Sequence, residues 1–121
     1  MYTKSFNGNL RTVIKDNRKA GQATRAAMTE AGTEGKITLP RTKHGESRLP
    51  NIEKYDLNDA YRLVVQLVDG IKKTRAFLFV GNHDDAEHWL DSHKNYKWIH
   101  DKNDGTLQFT LATMKEDERH I

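Results

Sequence analysis

The chain has 121 residues and a mass of 14.0 kDa, enough for one domain and too few for a second core of ordinary size. Leu, Ile, Val and Phe supply 25 residues and mean hydropathy is -0.86, so the core must be small, and ten of those 25 fall between Tyr61 and Val80. The absence of cysteine excludes a disulfide framework, thiolate zinc sites and cysteine nucleophiles.

No apolar run approaches the ~20 residues of a membrane span and the N-terminus lacks the apolar centre of a signal peptide, so a soluble cytoplasmic protein without a membrane partner is expected. Formal charge is +3, unevenly divided: residues 1–50 carry +6 and residues 51–121 carry -3. A basic N-terminal half suits a polyanion partner, since Lys and Arg neutralising phosphates supply most non-specific affinity for nucleic acid. A solvated surface would show the same excess.

In chain order, Met1 to Phe6 alternates as an edge strand would, and Asn7, Gly8 and Asn9 offer a turn and a helix cap. Leu10, Val13, Ile14, Ala27, Met28 and Ala31 follow helical spacing, which predicts either one weak helix over 10–31 or two short ones broken near Gly21. Gly32, Gly35 and Pro40 end this segment, and Thr38 to Pro50 reads as a long basic loop with Lys43, His44, Glu46 and Arg48. Ile52 to Leu57 predicts a short strand, with Asn58 and Asp59 as a turn. Tyr61 to Val68 predicts a central strand that returns through Asp69-Gly70 into Thr74 to Val80, a hairpin. Gly81 and Asn82 end the strand, and His83 to His93 has helical character with two acids in its first turn. Trp98 to His100 and Thr106 to Leu111 suggest a second small hairpin, and the charged tail over 113–121 is expected to fray. The whole reads as one domain, 1–121.

The segments YRLVVQLVDG and AFLFVGNHDDAEHWLDSH give the region 46–110 a recognisable order: basic segment, short strand, strand with a Tyr-Arg start, hairpin, strand ending in Val-Gly, short helix. In this order the chain resembles the RelE/ParE superfamily of bacterial toxin-antitoxin toxins, closest to its RelE-like branch. The resemblance implies an α+β fold in which an N-terminal helical segment packs on a small twisted antiparallel sheet, with a short helix after the last core strand. It implies a cognate antitoxin protein as partner, in a toxin-antitoxin hetero-oligomer. It also implies one of two activities, cleavage of mRNA on the ribosome in the A site or, in ParE-type members, inhibition of DNA gyrase.

Residue by residue, Arg62 after Tyr61 matches a catalytic arginine of RelE-like nucleases. His83 falls where RelE has an arginine near the leaving group, and Trp89 where it has a functional tyrosine. Lys54 is close to one of RelE's paired lysines, and Glu46 lies at a spacing from Arg62 similar to that of the base glutamate in YoeB-like members. The second lysine of the pair is missing.

RNA cleavage without a metal or other cofactor needs a base for the 2′-hydroxyl proton, cations for the charge developing on phosphorus, and an acid for the departing 5′-oxygen. Arg62 is assigned to phosphate charge stabilisation, His83 to general acid, and Glu46 or Lys54 to general base. Lys43, His44, Arg48 and Arg75 would hold the RNA backbone, and Trp89 would stack a base. Each residue also has a plainer reading. Arg62 could be a cross-strand ion partner with Asp59 nearby in sequence, His83 could open a helix, and Trp89, sharing a helix face with Ala86 and Leu90, could belong to the core. A rival cluster, His83, Asp84, Asp85, Glu87 and His88, places Asp84 and His88 four apart as metal ligands would be, although acids in a helix's first turn need no metal.

Overall fold

The computed structural model describes residues 2–42, 51–57, 60–67, 75–94, 96–100 and 107–111. The expected turns at Asn58-Asp59 and Asp69-Gly70, the loop residues Lys43, His44, Glu46 and Arg48, and the tail lie outside them.

Helix α1 spans Lys4–Asp16 and α2 spans Arg18–Glu34. The recurrence of Phe6, Leu10 and Val13 at helical spacing gives α1 one apolar face, and all three side chains are buried. This burial overrides the alternation read over Met1 to Phe6. Of the expected edge strand, only Tyr2 and Thr3 keep extended pairing, through a parallel bridge from Tyr2 to Phe77 and the Thr3 N–H donating to the Phe77 carbonyl at 3.1 Å. Asn7, Gly8 and Asn9 are helical and make neither a turn nor a cap.

The helical segment does break, but at Asn17, four residues before Gly21. Asn17 has φ -149° and ψ 94°; its N–H donates to the Val13 carbonyl, closing α1, and its side chain accepts the Ala20 N–H at 3.1 Å, opening α2. Gly21 instead serves the packing of the two helices. A Cβ there would sit 2.5 Å from Ile14 Cγ1 and 3.0 Å from its Cα. With Ala20, Thr24 and Ala27 it forms a stripe of small buried residues on α2. Gly32 lies inside α2, and Gly35, at φ 67°, caps its end with a hydrogen bond to the Ala31 carbonyl.

Strands β1 (Ile52–Asp56), β2 (Tyr61–Leu67) and β3 (Arg75–Asn82) form an antiparallel sheet in that order. The β2–β3 register passes from Val64 opposite Phe79 to Val65 opposite Phe77, so Leu78 is an extra residue on β3. Helices cover both faces. Tyr55, Leu57, Leu63, Val65, Phe77 and Val80 pack with the helical hairpin, while Val64, Ala76, Leu78 and Phe79 pack with Ala86 and Leu90 of α3 (His83–Ser92). Burial on both sides accounts for the almost unbroken apolar run of β2, since a strand with one wet face would alternate. The α+β architecture is therefore as expected, with the short helix following the last core strand.

Asn82 caps α3 by accepting the Asp85 N–H at 2.8 Å, and Asp84 and Asp85 occupy its first turn. Strands β4 (Tyr96–His100) and β5 (Leu107–Leu111) pair antiparallel as a separate hairpin, with Trp98 opposite Phe109. Among the described residues no helix is long and apolar enough to cross a membrane.

Candidate functional site

Strand alternation decides which of the expected residues can meet. Lys54 opposes Val64, and Asp56 opposes Arg62, so Lys54, Asp56 and Arg62 share the sheet face on which α3 packs. Tyr61 opposes Asn82, which brings the start of β2 beside the start of α3 and hence beside His83, an exposed residue. Arg62 and Lys54 thus share one face of the sheet, and His83 is the first residue of α3, the helix packed on that face.

Both cations on that side are engaged by carboxylates. Arg62 Nε lies 3.1 Å from Asp56 Oδ1, a pair still partly exposed to solvent, and the Arg62 guanidinium also donates to the Tyr61 carbonyl at 3.0 Å. This ion partner, Asp56, stands directly across the strands, and Asp59 lies outside the described residues. Lys54 Nζ lies 3.7 Å from Glu87 Oε2 and ties β1 to α3.

Arg75 belongs to the opposite face. Its Nε donates to Glu53 Oε1 at 2.8 Å and its guanidinium also donates to the Gly35 carbonyl at 2.8 Å, so it joins the sheet to the end of α2. Arg41 pairs with the other Glu53 oxygen, and the Tyr55 hydroxyl donates to Oε1 at 2.7 Å. Burial alone would raise the Glu53 carboxyl. Hydrogen bonds from Arg75 and Tyr55 and the charges of both arginines outweigh it and hold the group below its ordinary range. Tyr55 is pushed up, first by burial and then by the adjacent carboxylate. The structure therefore does not bring Arg75 together with Arg62 and Lys54, and an RNA-backbone contact would have to compete with Glu53. This cluster was missed in the sequence, where its one signal is an acid at position 53 flanked by apolar and aromatic residues in a short strand.

Trp89 is half-buried, and its indole is already stacked by two rings, Phe79 at 5.8 Å between centroids and His93 at 4.2 Å. His93 is held in place by its Nδ1, 2.8 Å from the Trp89 carbonyl. A nucleobase would have to compete for this ring, which sides with the core reading of Trp89. Among the described residues no group of three or more His, Asp or Glu is arranged to hold a metal ion.

Beside this aromatic stack opens a cleft of about 370 Å³ between α1, the Tyr61 end of β2, the Asn82 end of β3, and α3. Its walls include Asn9 and Asp16 of α1, Tyr61, and Asp85, His88 and Trp89 of α3. Sequence reasoning did not find it, because Asn9 and Asp85 are 76 positions apart and meet only through the sheet. No family model, curated protein or solved structure matches the chain.

Proposed function

We propose that this chain is a RelE-like toxin that acts in the cytoplasm as a ribosome-dependent mRNA endonuclease, using 2′-hydroxyl attack without a metal, and that a cognate antitoxin silences it. The observation that supports this reading is the common placement of Lys54 and Arg62 on the sheet face against which α3, the helix that His83 opens, is packed. A phosphate bound there would find a guanidinium for its developing charge and an imidazole for the departing oxygen, two of the three groups the reaction needs. Lys54 or Glu46 completes the set as base. An incoming phosphate must draw Arg62 from Asp56, an exchange that a partly exposed pair permits, since such pairs are worth less than ~1 kcal/mol.

Primer-extension mapping of mRNA in a translating extract tests this directly. Cuts that appear only with the protein and only on translated message are the expected result. The second reading, a ParE-like binding module acting on gyrase or another protein, is favoured by a different observation: Arg62, Lys54 and Arg75 are each held by a carboxylate. Intact message together with inhibited gyrase supercoiling would decide for it.

A further inference from the structure

The helical hairpin and the three-stranded sheet treat their cations differently. Lys54, Arg62 and Arg75, the cations of β1–β3, are each held by a carboxylate. Residues 11–25 of the hairpin contain five cations, Arg11, Lys15, Arg18, Lys19 and Arg25, against one acid, Asp16. All five are exposed, and none has an ion-pair partner among the described residues. They follow the outer faces of both helices. Arg11 and Lys15 stand opposite the buried Phe6, Leu10 and Val13, and Arg18 and Arg25 stand opposite the buried Ala20, Thr24 and Ala27. Lys15 suits the last turn of α1, but helix stability does not account for the others. Arg18 and Lys19 occupy the first turn of α2, where the dipole favours acids and the helix has none, and Arg11 and Lys15 are like charges four residues apart.

We infer that the outer face of the α1–α2 hairpin, through Arg11, Lys15, Arg18, Lys19 and Arg25, binds the phosphate backbone of a nucleic-acid duplex without reading its sequence. Arg18 and Arg25 lie seven residues, about 10 Å, apart along α2, and α1 adds a second row, so the face matches an extended polyanion rather than a single anion. Beside the cations stand Thr12, Gln22 and Thr29, exposed side chains of the kind that donate to phosphate oxygens. None of the described exposed residues of α1 and α2 is aromatic, which leaves unstacked bases no platform and favours a duplex over a single strand. None is a large aliphatic residue either, as a membrane surface or the centre of a protein interface would use. The hairpin packs on the sheet face opposite α3, so a duplex held on its outer side lies away from Lys54 and Arg62, and binding there requires no cleavage activity.

The test is fluorescence anisotropy of the full chain with a labelled duplex of about 20 base pairs and arbitrary sequence, as RNA and as DNA, over ~50–200 mM salt. The unpaired strand and a poly-glutamate competitor are run beside it. A dissociation constant of roughly 10⁻⁵ M is expected, with log affinity falling against log salt at a slope near -4, as about five phosphate contacts require. Arg11→Gln, Arg18→Gln and Arg25→Gln together should weaken duplex binding at least ~10-fold and reduce the slope by about 3, with thermal unfolding unchanged because all three positions are exposed. Arg→Lys at the same three positions keeps the charge and should keep the slope. Tighter binding of duplex RNA than of duplex DNA assigns the surface to an RNA helix, and the reverse order assigns it to DNA. Equal or tighter binding of the unpaired strand, displacement of the duplex by poly-glutamate at equal charge, or a slope unchanged by the glutamine substitutions overturns the inference.

Discussion

Arg75 Nε and Glu53 Oε1 lie 2.8 Å apart with both side chains almost buried, 11% and 7% exposed, and this pair fastens the sheet to the end of α2. Removing one member leaves the other as a buried charge without its counter-ion, which costs more than the pair itself contributes. Glu53→Gln should therefore lower unfolding free energy by roughly 3 kcal/mol in urea denaturation. Arg41→Ala should cost less than ~1 kcal/mol, because the Arg41 side chain is 59% exposed. Equal losses in the two variants would show that Arg75 is not the main partner.

The same cluster sets a pH dependence. Glu53 lies below its ordinary value in the folded chain, so its contribution to stability is present above that value and is lost as pH falls through the depressed one. Tyr55 lies above its ordinary value, so its contribution is present below that value and is lost as pH rises through the raised one. Urea midpoints should fall on both the acid and the alkaline side, and Glu53→Gln should flatten the acid limb. An acid limb unchanged by the substitution would contradict the assignment.

Gly21 permits the close approach of α2 to Ile14 of α1. Gly21→Ala would favour the helix locally yet push the two helices apart, with an expected net loss of about 1–3 kcal/mol. Thermal unfolding of Gly21→Ala alone and combined with Ile14→Ala checks this. The second substitution makes room and should cost less in the Gly21→Ala chain than in the wild type.

If Arg62 stabilises charge on the scissile phosphate, Arg62→Ala should lower cleavage on programmed ribosomes by about 10² to 10³-fold and abolish growth inhibition. Stability should change by less than ~1 kcal/mol, because the pair with Asp56 is partly exposed. A folded Arg62→Ala protein with undiminished toxicity would end the nuclease reading as drawn.

His83 separates proton donation from simple charge. His83→Gln keeps hydrogen bonding without an ionisable proton and should cost about 10²-fold or more in single-turnover cleavage. His83→Arg restores a cation and should retain part of the activity. Wild-type cleavage by His83→Gln would leave the histidine as a helix-opening residue only.

Much of the sheet and α3 was legible in the sequence because the signals there are local. The apolar run from Tyr61, the return over Arg75 to Val80 and the acidic first turn after Asn82 each state their own element, and the β4–β5 hairpin follows from two short runs around a polar gap. The start of the chain was less legible. Alternation over Met1 to Phe6 and helical spacing from Phe6 onward compete for the same residues, and only the burial of Phe6 against Phe77 decides for the helix. Gly21 looked like a break because a lone sequence does not reveal that its missing side chain makes room for Ile14.

For the site, the sequence by itself determined the chemical inventory: an arginine at the start of the central strand, a histidine at the start of the following helix, and cations unevenly spread along the chain. Only the tertiary structure decided which of these share a surface. In strands, neighbouring side chains point to opposite faces, so Lys54 joins Arg62 beneath α3 while Glu53 turns the other way and takes Arg75 with it. The cleft between α1 and α3 is likewise a product of packing. Asp16 and Asp85 are distant in the chain, and no local pattern places two carboxylates around one aromatic wall until the sheet brings α1 and α3 to the same end.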